Sequence, residues 1–295
     1  MIRAIDKVVV GVSFDGDTSE LTEGTLRAIE QAQWLAAKGG EITLVHSGHG
    51  TERHETSATH EVVHVGTTTP RAARIETEVE RLKALGITTE ILLREEEPYR
   101  AILAAADEKQ ANIIVVGKHE SSRRSHLGSV ARALIYHSPR PVWAVQPGTR
   151  PAPECILAAT DLSKVGVDVL SYANTIATPA KSELNVVHSY SVGMDVQMHP
   201  EPGDREALAK KAKDDVLAQL QEAGLPAETA VHVGQDTPAS AILALDESLR
   251  PDLVVLGSVS RGGLPGFLIG NTAEALVSRL SSSLLTIKPE DFRAS

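Results

Sequence analysis

Hydrophobic and polar positions alternate along this chain in two rhythms. Short apolar runs with the length of buried strands are followed by segments in which apolar residues recur every three or four positions, as on one face of a helix. Lys7 to Ser13 reads as a strand, and residues 14–20 as a polar loop. Leu21 to Ala37 reads as a helix with Leu21, Ala28, Ala32 and Leu35 toward the core, stopped by Gly39 and Gly40. Glu41 to His46 is a second strand, and 47–68 a long polar loop without period. The pattern then predicts a helix over Arg71–Leu85, a strand over Ile87–Leu93 and a helix opening at Pro98. A strand over Asn112–Gly117, a helix over Ser129–His137 and a strand over Pro141–Val145 complete the first half.

The second half repeats this order. Strands are predicted at Cys155–Thr160, Leu184–His188, Thr229–Val233, Asp252–Leu256 and Ser283–Ile287. Helices fall at Asp168–Ala177, Asp204–Ala223, Pro238–Leu249 and Thr272–Leu280. In the second of these, Leu208, Ala212, Val216 and Leu220 lie four apart. Residues align as well: Leu44-Val45-His46-Ser47 with Val186-Val187-His188-Ser189, Ala101-Ile102-Leu103-Ala104 with Ala241-Ile242-Leu243-Ala244, and Gly117 with Gly257. A repeat of this length is a duplicated domain, not a solenoid. The expected domains are 1–147 and 154–290, joined by the Pro- and Gly-rich Gln146–Pro153. Alternating strands and helices imply an α/β fold. Each half should be a Rossmann-like, five-stranded, mainly parallel sheet with helices on both faces. Such sheets bind ligands beyond the carboxyl ends of their strands, where strand order reverses.

Composition sharpens the picture. Aromatic residues are only 3% against 42% hydrophobic, so the core must be built from Val, Ile, Leu and Ala. A net charge of −10 argues against nonspecific binding to nucleic acid or to an anionic membrane. One cysteine, Cys155, excludes a disulfide framework and reads as a core thiol. The opening M-I-R-A-I-D-K lacks the apolar region of a signal peptide, and no apolar run nears a membrane span. A soluble cytoplasmic protein is expected.

Chemistry concentrates in Val254–Thr272, V-V-L-G-S-V-S-R-G-G-L-P-G-F-L-I-G-N-T. A strand, a glycine-rich loop and a helix start in sequence suit an anion, because backbone N–H groups can approach it closely. The stretch is neither a GxxxxGK[ST] phosphate loop nor a GxGxxG fingerprint. On spacing alone, its glycines could equally serve only as turns. The frame resembles that of nucleotide-binding universal stress proteins: G-x-x-G, nine residues, then G-[S/T]. Gly257 and Gly270 match the first and third glycines, and Arg261 a basic residue common in that loop. Ser260 stands in place of the second glycine and Asn271 in place of Ser or Thr, with Thr272 one step later. The run F-L-I-G-N-T-A-E resembles the tandem, two-domain branch of the family in particular. The resemblance spans nearly all of both halves and implies an adenine nucleotide alpha hydrolase-like fold.

It also implies roles. Thr160 and Asp161 would contact the adenine and ribose of ATP or another adenine nucleotide, and Val187 would line the base. Ser258, Arg261, Gly270, Asn271 and Thr272 would surround the phosphates, with Ser260 narrowing the loop. Magnesium would enter only with the nucleotide. The plain alternative for Asp161 is a local cap or turn. In the first half, Phe14 falls where Asp161 sits, Asp15 comes one place late, and Glu120 replaces the second glycine. That half reads as a degenerate site, and its Arg123-Arg124 loop as mobile and ligand-free. His46, His49, His54, His60 and His64 cluster without the spacing of a metal motif. No catalytic motif is present. The leading expectation is a nucleotide-binding stress regulator or sensor. The alternatives are an interaction scaffold that has lost the nucleotide and a slow ATP hydrolase. Family members pair through their fifth strands, which here implies an intramolecular pseudo-dimer through Val142–Val145 and Leu284–Ile287, with homodimerisation left open.

Overall fold

The computed structural model describes residues 5–37, 39–48, 69–121, 124–191, 203–258 and 270–289, without the side chains of 119–126 and 271. The chain divides into two compact units, one spanning Ile5–Pro151 and the other beginning at Ala152.

In the first unit the main strands are β1 (Lys7–Gly11), β2 (Glu41–Ser47), β3 (Thr88–Arg94), β4 (Ile113–Gly117) and β7 (Val142–Val145). They are parallel and ordered β3-β2-β1-β4-β7. The helices are α1 (Glu23–Ala36), α2 (Pro70–Ala84), α3 (Pro98–Glu108) and α4 (Ser129–His137). The second unit repeats the order as β10-β9-β8-β11-β12, with β8 (Cys155–Ala159), β9 (Glu183–Ser189), β10 (Ala230–Gly234), β11 (Leu253–Gly257) and β12 (Ser283–Ile287). Its helices are α5 (Lys164–Ala180), α6 (Asp204–Glu222), α7 (Pro238–Leu249) and α8 (Asn271–Val277). In both units strand order reverses between the first and fourth strands, as alternation predicts.

The ends of the helices follow from their sequence. Thr22, Thr69, Ser163 and Thr237 each cap a helix by accepting a backbone N–H three residues on. Pro70, Pro98 and Pro238 occupy first turns, where no helical N–H is lost. Helix α5 is longer than its pattern predicts. It starts at the Ser163 cap, and it carries Pro179 in its last turn. Leu35 and Leu208, expected in the core, are half-buried; Ile29, Ala36 and Gln219 hold the inner faces instead. The core is aliphatic as composition requires, with Trp143 on β7 the large exception. Cys155 is half-buried; burial, with Glu183 and Asp252 nearby, pushes its thiol above the usual range, so it is a poor nucleophile.

A buried carboxylate, paired with two partly exposed arginines, ties α2 together. Glu78 accepts from Arg74 Nη1 and from Arg81 Nε, each at 2.8 Å. Burial by itself would raise the carboxyl, but the two guanidiniums outweigh it and hold the pKa below its ordinary value of 4.5. A carboxylate depressed in the folded state stabilises above the unfolded value, and that gain is lost as pH falls through the folded one. Glu78→Gln should therefore cost about 1.5–3 kcal/mol near neutrality. The penalty should shrink as the pH drops below 4.5. Urea unfolding of both proteins across that range checks this; a penalty independent of pH would contradict it.

Candidate functional site

In the second unit, Ala159 at the end of β8 is registered with Val187 on β9 and with Leu256 on β11. Thr160-Asp161 and Gly257-Ser258 therefore leave the sheet side by side, at the reversal of strand order. This register brings both halves of the predicted site together.

Within it, the residues divide. Thr160 is buried, and its hydroxyl bonds to Gln219 Oε1 on α6 and accepts from Leu162 N–H at 3.1 Å. Its side chain is spent on holding α6 against the end of β8. Its carbonyl faces His188 Nδ1 at 3.0 Å and its N–H donates to the Val187 carbonyl at 3.0 Å. Asp161 is exposed. Its Oδ1 accepts from Ser163 N–H at 3.0 Å and from the Ser163 hydroxyl at 2.5 Å. The plain alternative for Asp161 is thus present, since it braces the turn before α5. That brace also fixes the carboxylate at the mouth of the crevice. Val187 is buried beside it on β9.

Gly257 ends β11 against α5, where an added Cβ would lie 3.0 Å from Val165 Cγ1. The glycine thus serves helix packing at least as directly as ligand approach. Ser258 is fully buried, and its hydroxyl finds no hydrogen-bond partner among the described residues. Its N–H donates to the Ile287 carbonyl at 3.0 Å, and its carbonyl accepts the Gly270 N–H at 3.2 Å. The second bond brings the start of α8 back to the end of β11 and consumes an amide that sequence reasoning left open for a phosphate. Lys288, next to Ile287, has its amine lowered to about 7 by burial. Asn271 opens α8 and Thr272 follows it, half-buried. Ser260 and Arg261 lie outside the described residues.

The first unit shows the same frame with different contents. Val12 N–H donates to the Val45 carbonyl at 2.8 Å, as Thr160 does to Val187, and His46 Nδ1 lies 3.1 Å from the Val12 carbonyl, as His188 does from that of Thr160. Gly11 is registered with Val45 as Ala159 is with Val187. Ser13 therefore occupies the place of Asp161, and Phe14 that of Leu162. The sequence alignment that set Phe14 opposite Asp161 is wrong by one residue. The connection after β1 runs 12–22 and that after β8 only 160–163, and nothing in the apolar pattern says where the difference falls. The Ser13 hydroxyl is spent on those of Thr22 and Thr25, each at 3.0 Å.

The stretch expected to be a mobile loop carries two short antiparallel strands, β5 (His119–Ser121) and β6 (Arg124–His126), registered Glu120 with Ser125. Pairing satisfies backbone groups that an irregular loop would leave to water. Arg123 lies outside the described residues, as do His49, His54, His60 and His64. Among the described residues no group of three or more His, Cys, Asp or Glu is placed to hold a metal ion. No helix among them is long and apolar enough to cross a membrane. Sequence reading had also not placed a cavity in this unit. One of about 560 Å³ opens across the carboxyl ends of β2, β1 and β4.

A model of the universal stress protein family matches residues 5–146 and again 154–288. The chain belongs to the universal stress protein family. Universal stress protein E of Photorhabdus laumondii is 23% identical over 251 residues, 77% of each chain. Universal stress protein E of Salmonella typhi is 41% identical over 66 residues, 22% of this chain and 21% of that one. A protein of unknown function from Pseudomonas aeruginosa has a solved structure that superposes with a TM-score of 0.75 at 21% identity, over 98% of this chain and 94% of that one. A universal stress protein of Archaeoglobus fulgidus gives 0.64 at 20% identity, over 96% and 98%. At such identities the two structures speak for the fold. The tandem arrangement agrees with the double match of the family model.

Proposed function

We propose that this universal stress protein binds one adenine nucleotide per chain, in its second unit, and acts in the cytoplasm as a stress regulator or sensor. The observation that carries the reading is the Ser258 hydroxyl. It is fully buried, without a hydrogen-bond partner among the described residues, one strand from the Asp161 carboxylate. A buried hydroxyl left unpaired costs about 1–3 kcal/mol, so a ligand oxygen that pairs it recovers that penalty. In this reading Asp161 accepts from ribose hydroxyls, Val187 lines the base, and Ser258, Arg261, Asn271 and Thr272 meet phosphates. Thr160 and Gly270 position their neighbours and do not touch the ligand through the hydroxyl and amide already in use. Magnesium accompanies the phosphates if they bind it.

Titration calorimetry with ATP on the full chain tests the reading. It should give about one site per chain, and nucleotide should copurify with the protein. Two equivalent sites, or no heat with ATP, ADP or AMP, would sink it and favour the scaffold. The proposal extends to assembly, in which the fifth strands β7 and β12 pair within one chain to cover two sheet edges. Val142→Cys with Leu284→Cys, oxidised at low concentration, should then cross-link within monomers; cross-links only between chains would assign the pairing to a homodimer.

A further inference from the structure

We propose that Ser189 is a further ligand-binding residue of the second unit, its hydroxyl pairing with the edge of the nucleotide base. The inference rests on the nucleotide reading above and deepens it, because it assigns the base to one end of the crevice.

Ser189 ends β9, and its Oγ is buried with no hydrogen-bond partner among the described residues. Ser258, just beyond β11, is in the same state. Most buried polar atoms are paired, so two orphaned hydroxyls in one unit point to a partner from outside. The first unit shows the paired arrangement. There Ser47, at the repeated position, donates its hydroxyl to the Glu96 carbonyl at 2.5 Å. The surrounding frame is the same in both units: Gly48 N–H donates to the Arg94 carbonyl at 2.9 Å, and Tyr190 N–H to the Gly234 carbonyl at 3.0 Å. The backbone matches, yet the serine of the second unit is left without the bond.

Register sets where the two hydroxyls lie. Val187 on β9 and Leu256 on β11 are both registered with Ala159. Registered residues of a parallel sheet share a face, and side chains alternate along each strand. Ser189 and Ser258, each two residues further on, therefore share the face of Val187 and Leu256. A Cβ on Gly257 would meet Val165 and Val169 of α5, so α5 covers the opposite face. The two serines stand at the same height, two strands apart, which is about 10 Å. Strand β8 runs between them and carries Asp161 just beyond its end.

The three groups form a row, and its chemistry orders the ligand. Ser258 borders the glycine loop and takes phosphate, Asp161 in the middle takes the ribose, and Ser189 at the other end takes the base. Buried Val187, one pleat below Ser189, supplies an apolar floor for the ring. A hydroxyl can donate or accept, so it pairs with a ring nitrogen or with an exocyclic amine.

Ser189→Ala on the full chain tests the proposal by two readouts that move in opposite senses. Calorimetric affinity for ATP should fall about three- to tenfold, the share of one neutral hydrogen bond. The melting temperature without ligand should stay the same or rise, because alanine removes a hydroxyl that the free protein leaves unpaired. ADP should lose by the same factor as ATP, since the base is common to both. Ser47→Ala should do the reverse: it breaks an existing bond, lowers the melting temperature and leaves ATP affinity unchanged. If the parent binds ATP and Ser189→Ala binds it as tightly, Ser189 is not a ligand residue, while the site itself stands. A loss seen with ATP but not with ADP would assign the hydroxyl to phosphate, and a lower melting temperature of the free Ser189→Ala protein would assign it a structural bond; either overturns the proposal. A parent that binds no nucleotide removes the site, and this inference with it.

Discussion

Asp161→Ala is expected to weaken ATP binding by about ten- to a hundredfold. A hydrogen bond to a charged group contributes about 1.5–3 kcal/mol, and each tenfold in affinity corresponds to about 1.4 kcal/mol. The carboxylate is favourably set for this. Its Oδ1 is held by the N–H and hydroxyl of Ser163, so little side-chain freedom remains to be lost on binding. The same bonds mean that alanine removes a turn brace as well as a ligand contact. Asp161→Asn separates the two effects, because an amide oxygen can still brace the turn but carries no charge. If the carboxylate acts on ribose, the asparagine protein keeps its melting temperature and still loses affinity. In the first unit, Ser13→Ala and Asp15→Ala should leave ATP affinity unchanged. Parent-like binding by Asp161→Ala, or a loss with Ser13→Ala, would remove the site from the second unit.

Gly117→Ala should destabilise the first unit by about 3 kcal/mol or more, at the upper end of overpacking effects. A Cβ on Gly117 would lie 2.2 Å from the backbone carbon and 2.4 Å from the backbone oxygen of Gly24 on α1. Both atoms belong to main chain inside regular elements, so a helix must move rather than a side chain turn. At the repeated position in the second unit the nearest atom is Val165 Cγ1 at 3.0 Å, which a small rotation or shift of the valine relieves. Gly257→Ala should therefore cost about 1 kcal/mol or less. For a unit of this size the difference corresponds to several degrees in melting temperature, about 2–4 °C per kcal/mol. Calorimetric melting of the two variants checks it, and equal losses would show that the Gly24–Gly117 approach is not what fixes the residue.

Much of this was legible without coordinates, for local reasons. Strand and helix order followed from apolar period, because a buried parallel strand is apolar throughout and a covering helix is apolar on one face. Pro98 and Pro238 marked helix starts, because the effect of proline acts within one turn. The duplication was visible because the strand-end sequence of Val45-His46-Ser47 recurs at Val187-His188-Ser189, where the two histidines make the same bond to a backbone carbonyl.

What the sequence left open depended on contacts between distant residues. Whether Ser13 or Phe14 replaces Asp161 turns on the pairing of β1 with β2, since a connection of variable length hides the register from any local pattern. The Thr160 hydroxyl looked available to a ligand until Gln219, 59 residues on, was seen to take it. Gly117 read only as the counterpart of Gly257, and the approach of α1 shows the packing that requires it. The first-unit cavity is bordered by the connection after β1, to which Arg71 donates at the Gly16 carbonyl, 55 residues before it in the chain. Periodicity reports which face of an element is buried. It does not report which neighbour buries it, and here that neighbour decides whether a polar group remains available to a ligand.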